Sequence, residues 1–168
     1  MNIIIRQAKP EDSSVLAEAE KKIAAQPGFL VSKPFELDEE RFKSTIKKLL
    51  QNNLGQYFCA EVEGKIVGHA FLEPLSLSAI SHIASLTIVV HFGWQEKGIG
   101  KLLLKHLIDW AKQSENIEKI VLQVRSTNIR AISLYKKMGF IEEGLLKNNI
   151  KIDKGHYIDD IIMGLNLL

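Results

Sequence analysis

The chain has 168 residues, 46% of them hydrophobic and 25% charged, which suits one domain with one sizeable core. Its formal net charge of +2 is too small to argue for nucleic acid or an anionic membrane as a partner. The lone Cys59 excludes an internal disulfide. No run approaches the roughly 20 apolar residues of a membrane span, and no secretory leader is visible, so a soluble cytoplasmic protein is the expectation.

In chain order, residues 2–8 read as a strand centred on Ile3-Ile4-Ile5. Pro10 suits an early helical position, with Glu11 and Asp12 in the first turn, where acids favour the dipole. Val15, Leu16, Ala19 and Ile23 supply one apolar face, and the helix ends near Gln26-Pro27-Gly28. The next loop carries Phe29 and Leu30 and is expected to fold back on the core. Residues 36–52 read as a second helix with Phe42, Ile46, Leu49 and Leu50 inward, stopped by Asn53-Leu54-Gly55. Strands at 56–61 and 65–72 form a hairpin about Glu63-Gly64. Cys59 lies in this apolar run, where a free thiol is more often inert core than nucleophile.

Residues 79–90 read as another strand, rich in β-branched side chains toward its end. A loop follows, then a helix in which Ile99, Leu103, Leu107, Trp110 and Ala111 repeat at helical spacing. Lys101, Lys105, Asp109 and Lys112 line its opposite face. Residues 118–124 form a strand. Asn128 can cap a short helix with Ala131, Ile132, Leu134, Tyr135 and Met138 inward, and Gly139 is placed to end it. Strands at 140–145 and 157–167 turn at Lys154-Gly155. The alternation around 80–126 argues for a parallel strand pair joined by a helix, and the hairpins for antiparallel neighbours. The expected fold class is α/β: one domain over residues 1–168, a mixed, mostly antiparallel sheet with helices on both faces.

Gly98 and Gly100 open the central helix directly after the apolar strand. Exposed N–H groups and the helix dipole make that a place to hold an anion such as a pyrophosphate. Gly93 and Gly98 have P-loop spacing, but Ile99-Gly100 stand where Lys-Ser would be needed. A dinucleotide fingerprint needs a third glycine where Leu103 stands. What remains is Q-x-x-G-x-G, made by Gln95, Gly98 and Gly100. It resembles the acetyl-CoA pyrophosphate loop of the GNAT superfamily of N-acyltransferases, written Q/R-x-x-G-x-G/A. A second block, Val124, Asn128, Ala131, Leu134-Tyr135 and Gly139-Phe140, is similar to that superfamily's later motif V-x(3)-N-x-x-A-x-x-L-Y-x-x-x-G-F. Gly68-His69, Gly144 and Gly155-x-Tyr157-x-Asp159 resemble a subgroup acting on small amines and amino acids.

The resemblance implies two adjacent parallel strands, 81–90 and 119–125, that splay apart. The pantetheine arm of acetyl-CoA would lie in the gap against Ile88, Val89 and Val90, supplying partners for the backbone groups left unpaired there. Gln95, Glu96, Lys97, Gly98, Ile99, Gly100 and Lys101 would hold the pyrophosphate, mainly through backbone N–H groups. Lys97 and Lys101 read equally as a solvated face. The Val89 N–H would polarise the thioester carbonyl, and Asn128, with Ala131, would meet the pantetheine arm. Capping alone also accounts for Asn128. Tyr135 would protonate the departing thiolate, although its spacing alone reads as a core tyrosine.

Many members of the family carry a glutamate base ten residues before the loop's first Gln or Arg, and Ser85 stands there. Glu73, His82 and Asp159 are the substitute bases, with Asp159 also a candidate ammonium anchor. The implied reaction is direct acetyl transfer from acetyl-CoA, the cosubstrate, to a primary amine of a small molecule, with amino acids among the candidates. No metal is expected. A protein N-terminal acetyltransferase and a non-catalytic acyl-CoA-binding module are the alternatives, and a homodimer is admitted.

Overall fold

The computed structural model describes residues 1–51 and 53–168. Its strands are β1 (Ile4–Gln7), β2 (Gln56–Val62), β3 (Lys65–Pro74), β4 (Ile83–Val90), β5 (Lys119–Arg125), β6 (Ile141–Asp153) and β7 (His156–Asn166). Its α-helices are α1 (Ser13–Ala24), α2 (Glu39–Gln51), α3 (Ile99–Gln113) and α4 (Ile129–Lys137). All seven strands join one sheet in the order β1-β2-β3-β4-β5-β7-β6. Every neighbouring pair is antiparallel except β4–β5.

Side chains alternate across the sheet and build two cores. On one face Tyr57 and Cys59 pack with Leu16, Ala17, Phe42, Ile46 and Leu49 from α1 and α2. On the other, Ala60, Ala70, Leu72, Leu86, Ile120 and Leu122 meet Leu103, Leu104, Leu107 and Ala111 of α3 and Ile132 and Tyr135 of α4. Gly68 lets α3 approach closely: a Cβ there would lie 3.1 Å from Ile99 Cγ2 and 3.1 Å from the Val89 carbonyl oxygen.

Several expected boundaries move. The first helix opens with a 3-10 turn at Pro10–Asp12, and its inward face is Leu16, Ala17, Glu20, Ile23 and Ala24. Val15 is 49% exposed; the inward stripe follows Leu16 and Ile23, seven residues apart, which rotates Val15 out. The second helix begins at Glu39, after a 3-10 turn at Pro34–Glu36, and its expected end at Asn52 lies outside the described residues. A 3-10 turn at Ser78–Ile80 delays β4 to Ile83. Strand β6 runs to Asp153, far past 145, because it keeps pairing with β7 through irregular register, with Asn148 at φ 52. Its exposed polar stretch carries no alternation to read. The loop after α1 is divided: Leu30 packs on the α1/α2 core, while Phe29 and Val31 are exposed.

The parallel pair is short. Pairing of β4 with β5 stops after Ile83↔Lys119, Ala84↔Ile120 and Ser85↔Val121. Beyond Ser85, β4 continues along β3, and β5 continues along β7. A gap therefore opens between residues 86–90 and 122–125, as the resemblance implied.

Candidate active site

Backbone direction in β4 follows from two hydrogen bonds. The His91 N–H donates to the Val67 carbonyl at 2.9 Å, and the Leu75 N–H donates to the Ile83 carbonyl at 2.9 Å. Odd-numbered residues of β4 thus bond toward β3, and the register between His91 and Ile83 is unbroken. Strand alternation then turns the N–H and C=O of Leu86, Ile88 and Val90 into the gap. Val89, paired with His69, directs its N–H toward β3. The Val89 N–H therefore does not face the gap, where its expected oxyanion contact would lie, because a strand amide cannot face both sides; the amides that do are those of Leu86, Ile88 and Val90. The side chain of Val89 does line the cleft.

The cleft has two connected parts that share Ile88, Val89, Asn128, Ala131 and Tyr135. One, about 760 Å³, runs past Val90, Gln95, Glu96, Gly98, Ile99, Gly100 and Lys101. The other, about 310 Å³, passes between the splayed strands toward α1 and α2, where Glu20, Leu30, Arg41, Phe42 and Arg125 line it. Phe29 and Leu30 border both parts.

The loop before α3 is shaped for an anion. Gly98, at φ 81, is the helix N-cap without a side-chain cap bond, so the first-turn N–H groups face outward. Gln95 braces the loop: its Oε1 accepts from the Gly93 N–H at 3.0 Å, and its Nε2 donates to the Val90 carbonyl at 3.4 Å. Glu96 is salt-bridged to Arg130 at 2.7 Å. The Lys97 ammonium sits 4.6 Å over the Trp94 ring and is not part of the cleft wall, whereas Lys101 is. A Cβ on Gly100 would touch Val90 at 3.5 Å and Leu134 at 3.7 Å.

On α4, Asn128 Oδ1 accepts from the Ala131 N–H at 3.2 Å, which is the capping role. Tyr135, 7% exposed, lines both parts of the cleft and leans on Phe140. Burial raises its pKa, so the phenol keeps its proton at neutral pH.

The three substitute bases are not brought into the cleft wall. Glu73 is the register partner of Ser85, one side-chain step beyond the Phe71–Thr87 pair that does line it, and it is ion-paired with Lys48. His82 precedes β4, with its carbonyl accepting from Glu118 and Lys119. Seven residues of strand, roughly 23 Å, separate it from Val89. Asp159 Oδ1 accepts from the Asn148 N–H at 2.7 Å, which pins the irregular part of β6. Cys59 is fully buried, and burial pushes its thiol up to about 12, in keeping with inert core.

Sequence reading missed two buried polar groups at the cleft. Arg125 and Asp160 are register partners on β5 and β7. Their Nε–Oδ1 separation is 2.7 Å, with side chains 10% and 0% exposed. The N–H directions do not satisfy a hydrogen bond, so this is a close charge contact, and Arg125 Nη1 is buried without a protein partner. Asn149 Nδ2 donates to Asp160 Oδ2 at 2.8 Å. The other group is Glu20, which lies 2.7 Å from His69 Nε2. Its signal was an acid on the stripe set by Leu16 and Ile23.

Among the described residues no cluster of metal-binding side chains occurs, and no helix is long and apolar enough to cross a membrane. Residues 13–140 match the model of the Acetyltransferase (GNAT) family. The L-amino acid N-acetyltransferase AaaT of Escherichia coli is 30% identical over 96% of this chain and 96% of its own. A GNAT-family acetyltransferase structure from Streptococcus pneumoniae superposes with a TM-score of 0.91 at 28% identity, covering 98% of this chain and 99% of the other. The structure of yncA from Salmonella typhimurium, solved with its cofactor acetyl-CoA, has a TM-score of 0.89 at 22% identity over 100% of this chain and 95% of that one. Matched by that family model over most of its length and by a relative 30% identical from end to end, this chain belongs to the GNAT acetyltransferase family.

Proposed function

We propose that this acetyltransferase moves the acetyl group of acetyl-CoA onto the primary amine of a small carboxylate-bearing molecule, an amino acid being the simplest. Acetyl-CoA is the donor, and it supplies an activated thioester. The residues present fit it: the gap offers the backbone groups of Ile88 and Val90, and the loop offers first-turn N–H groups at Gly98–Lys101. The amide of Ile88 or Val90 holds the thioester oxygen as charge develops, a contact worth about 2.7–4 kcal/mol in such sites. Tyr135 lines both cleft parts, and its hydroxyl delivers the proton to the leaving sulfur.

The single observation that carries the acceptor class is Arg125. Arg125 lines the 310 Å³ part of the cleft, its buried Nη1 has no protein hydrogen-bond partner, and a carboxylate is the natural partner for a guanidinium fork. The similarity to an L-amino acid N-acetyltransferase along nearly the whole chain supports the same class. A reducing cytoplasmic setting suits the buried Cys59 thiol. Exposed Ile141 and Leu145 on edge strand β6 support a homodimer, which sedimentation checks.

The test is thiol release from acetyl-CoA across amino acids, their decarboxylated amines and short peptides. Amino acids should turn over best. Arg125→Lys keeps the charge but loses the fork, and should raise the amino-acid KM roughly ten- to a hundredfold, the weight of a charged hydrogen bond. Equal turnover of decarboxylated amines would sink the carboxylate reading. Preference for peptides would favour an N-terminal acetyltransferase, with the chain Phe29–Leu30 as the rim of its groove.

A further inference from the structure

A buried polar chain runs from the acceptor part of the cleft into the sheet. Glu20, 8% exposed, lines the cavity from α1. Its Oε1 lies 2.7 Å from His69 Nε2, His69 Nδ1 lies 3.2 Å from His91 Nε2, and His91 Nδ1 lies 3.1 Å from the Ile66 carbonyl. A carbonyl only accepts, so His91 Nδ1 carries a hydrogen. Burial and the neighbouring His69 hold the His91 pKa down to about 4, which leaves His91 neutral at pH 7 with Nε2 as an acceptor. His69 Nδ1 must then donate. One proton remains to be shared between His69 Nε2 and Glu20 Oε1. Because His69 meets Oε1, Glu20 Oε2 is left uncommitted to His69.

The position of this chain matters as much as its chemistry. His69 is the register partner of Val89, so both side chains project from the α1/α2 face beside the open gap. Ser85 supplies no base there, and Glu73, His82 and Asp159 lie outside the cleft wall. We propose that Glu20 is the general base that takes a proton from the acceptor ammonium, and that His69 is the positioning residue that fixes Glu20's orientation and ionisation. The inference rests on the reading that a primary amine binds in this part of the cleft.

The protons balance. The acceptor nitrogen enters as an ammonium with three hydrogens and leaves as an amide with one. One proton passes to Glu20 Oε2 and then to solvent as the nitrogen lone pair is freed. That lone pair forms the N–C bond and the C–S bond breaks. The Tyr135 hydroxyl protonates the departing sulfur and regains a proton from the nitrogen. Other ionisable groups on this side include Tyr57, stacked 5.9 Å from His69, Cys59, Arg6 with Asp12 and Glu61, the Lys48–Glu73 pair, and Arg41 and Arg125 on the cavity wall. Burial holds Tyr57 and Cys59 uncharged at neutral pH.

Single-turnover rates across pH test the proposal. Glu20→Gln should lower the rate about 10²–10⁴-fold, abolish its acidic limb and leave acetyl-CoA affinity unchanged. His69→Gln should displace that limb along the pH axis, which a purely structural role would not do. A folded Glu20→Gln variant with the parental rate and limb overturns the proposal. The unaltered protein gives a second test that needs no variant. With two acceptors whose ammonium pKa values differ by about two units, an enzyme base keeps the limb at one pH. A limb that follows the acceptor's own pKa overturns the proposal. Failure of the carboxylate reading would appear instead as a different acceptor preference, and the comparison can be made with whichever amines react.

Discussion

Acid should unfold this protein partly through His91, and by a calculable amount. The ring is buried beside His69 and donates to the Ile66 carbonyl. Burial, then the charge of His69, lowers its pKa from 6.5 to about 4, against the opposing effect of the Ile66 bond. In the unfolded chain the group binds a proton near pH 6.5; in the folded chain it resists until about pH 4. The unfolded state therefore binds more protons within that window, so stability present above 6.5 is lost as pH falls toward 4. The move from 6.5 to about 4, at about 1.36 kcal/mol per pH interval, gives a limit of about 3.4 kcal/mol, of which about 3 kcal/mol is reached by pH 4. Urea unfolding at pH 7, 6, 5 and 4, for the unaltered protein and His91→Gln, isolates it. The difference in unfolding free energy between the two should change by about 3 kcal/mol across the series. Parallel pH curves for both proteins would refute the buried neutral assignment.

Asp160→Asn leaves the buried Arg125 charge uncompensated and should cost about 3–5 kcal/mol; a loss below about 1 kcal/mol in urea unfolding would show the pair to be solvated. Tyr135→Phe keeps the ring against Phe140 and should lower single-turnover rate by about 10²–10⁴ with acetyl-CoA affinity retained; a parental rate would return Tyr135 to core packing. Gly100→Asp places a carboxylate beside Val90 and Leu134, where the pyrophosphate is proposed to dock, and should abolish acetyl-CoA binding in calorimetry while the fold persists. Glu73→Gln, His82→Ala and Asp159→Asn should keep parental turnover and acidic limb; loss of either in one of them would bring that residue back as a base.

The cofactor half of the fold was legible because its chemistry is local. An apolar strand, Gln95, Gly98, Gly100 and an amphipathic helix follow one another within thirty residues, and the second block from Val124 to Phe140 is equally compact. The glycine loop, the Asn128 cap and the end of the helix by Gly139 all appear where local rules put them. The acceptor half was not legible, because its groups meet only through the sheet. Glu20 and His69 are 49 residues apart, and Arg125 meets Asp160 only through the β5–β7 register. Reading the α1 face as Val15, Leu16, Ala19 and Ile23 also rotated Glu20 toward solvent. The direction of the Val89 amide depended on strand parity, which was fixed only by bonds to Val67 and Leu75.

The vacancy at Ser85 has a geometric consequence for where a base can stand. Ser85 is the last β4 residue still paired with β5, so a side chain there would act from the closed end of the gap. The Glu73 carboxylate opposite it is drawn to Lys48 on α2 instead. Four residue pairs further along the same strands, the sheet has opened, and the position opposite Val89 belongs to His69. A histidine buried there requires a hydrogen-bond partner, and α1 supplies Glu20 in direct contact with it. One chain of contacts thus satisfies a buried polar group and sets a carboxylate where the acceptor nitrogen must lose its proton. The division of labour follows the two faces of the sheet. α3 and α4 pack one face and furnish the glycine loop and Tyr135, whereas α1 and α2 pack the other and bring Glu20 and Arg41. Acceptor choice should therefore change with substitutions in α1, α2 and the loop between them, while donor affinity follows α3.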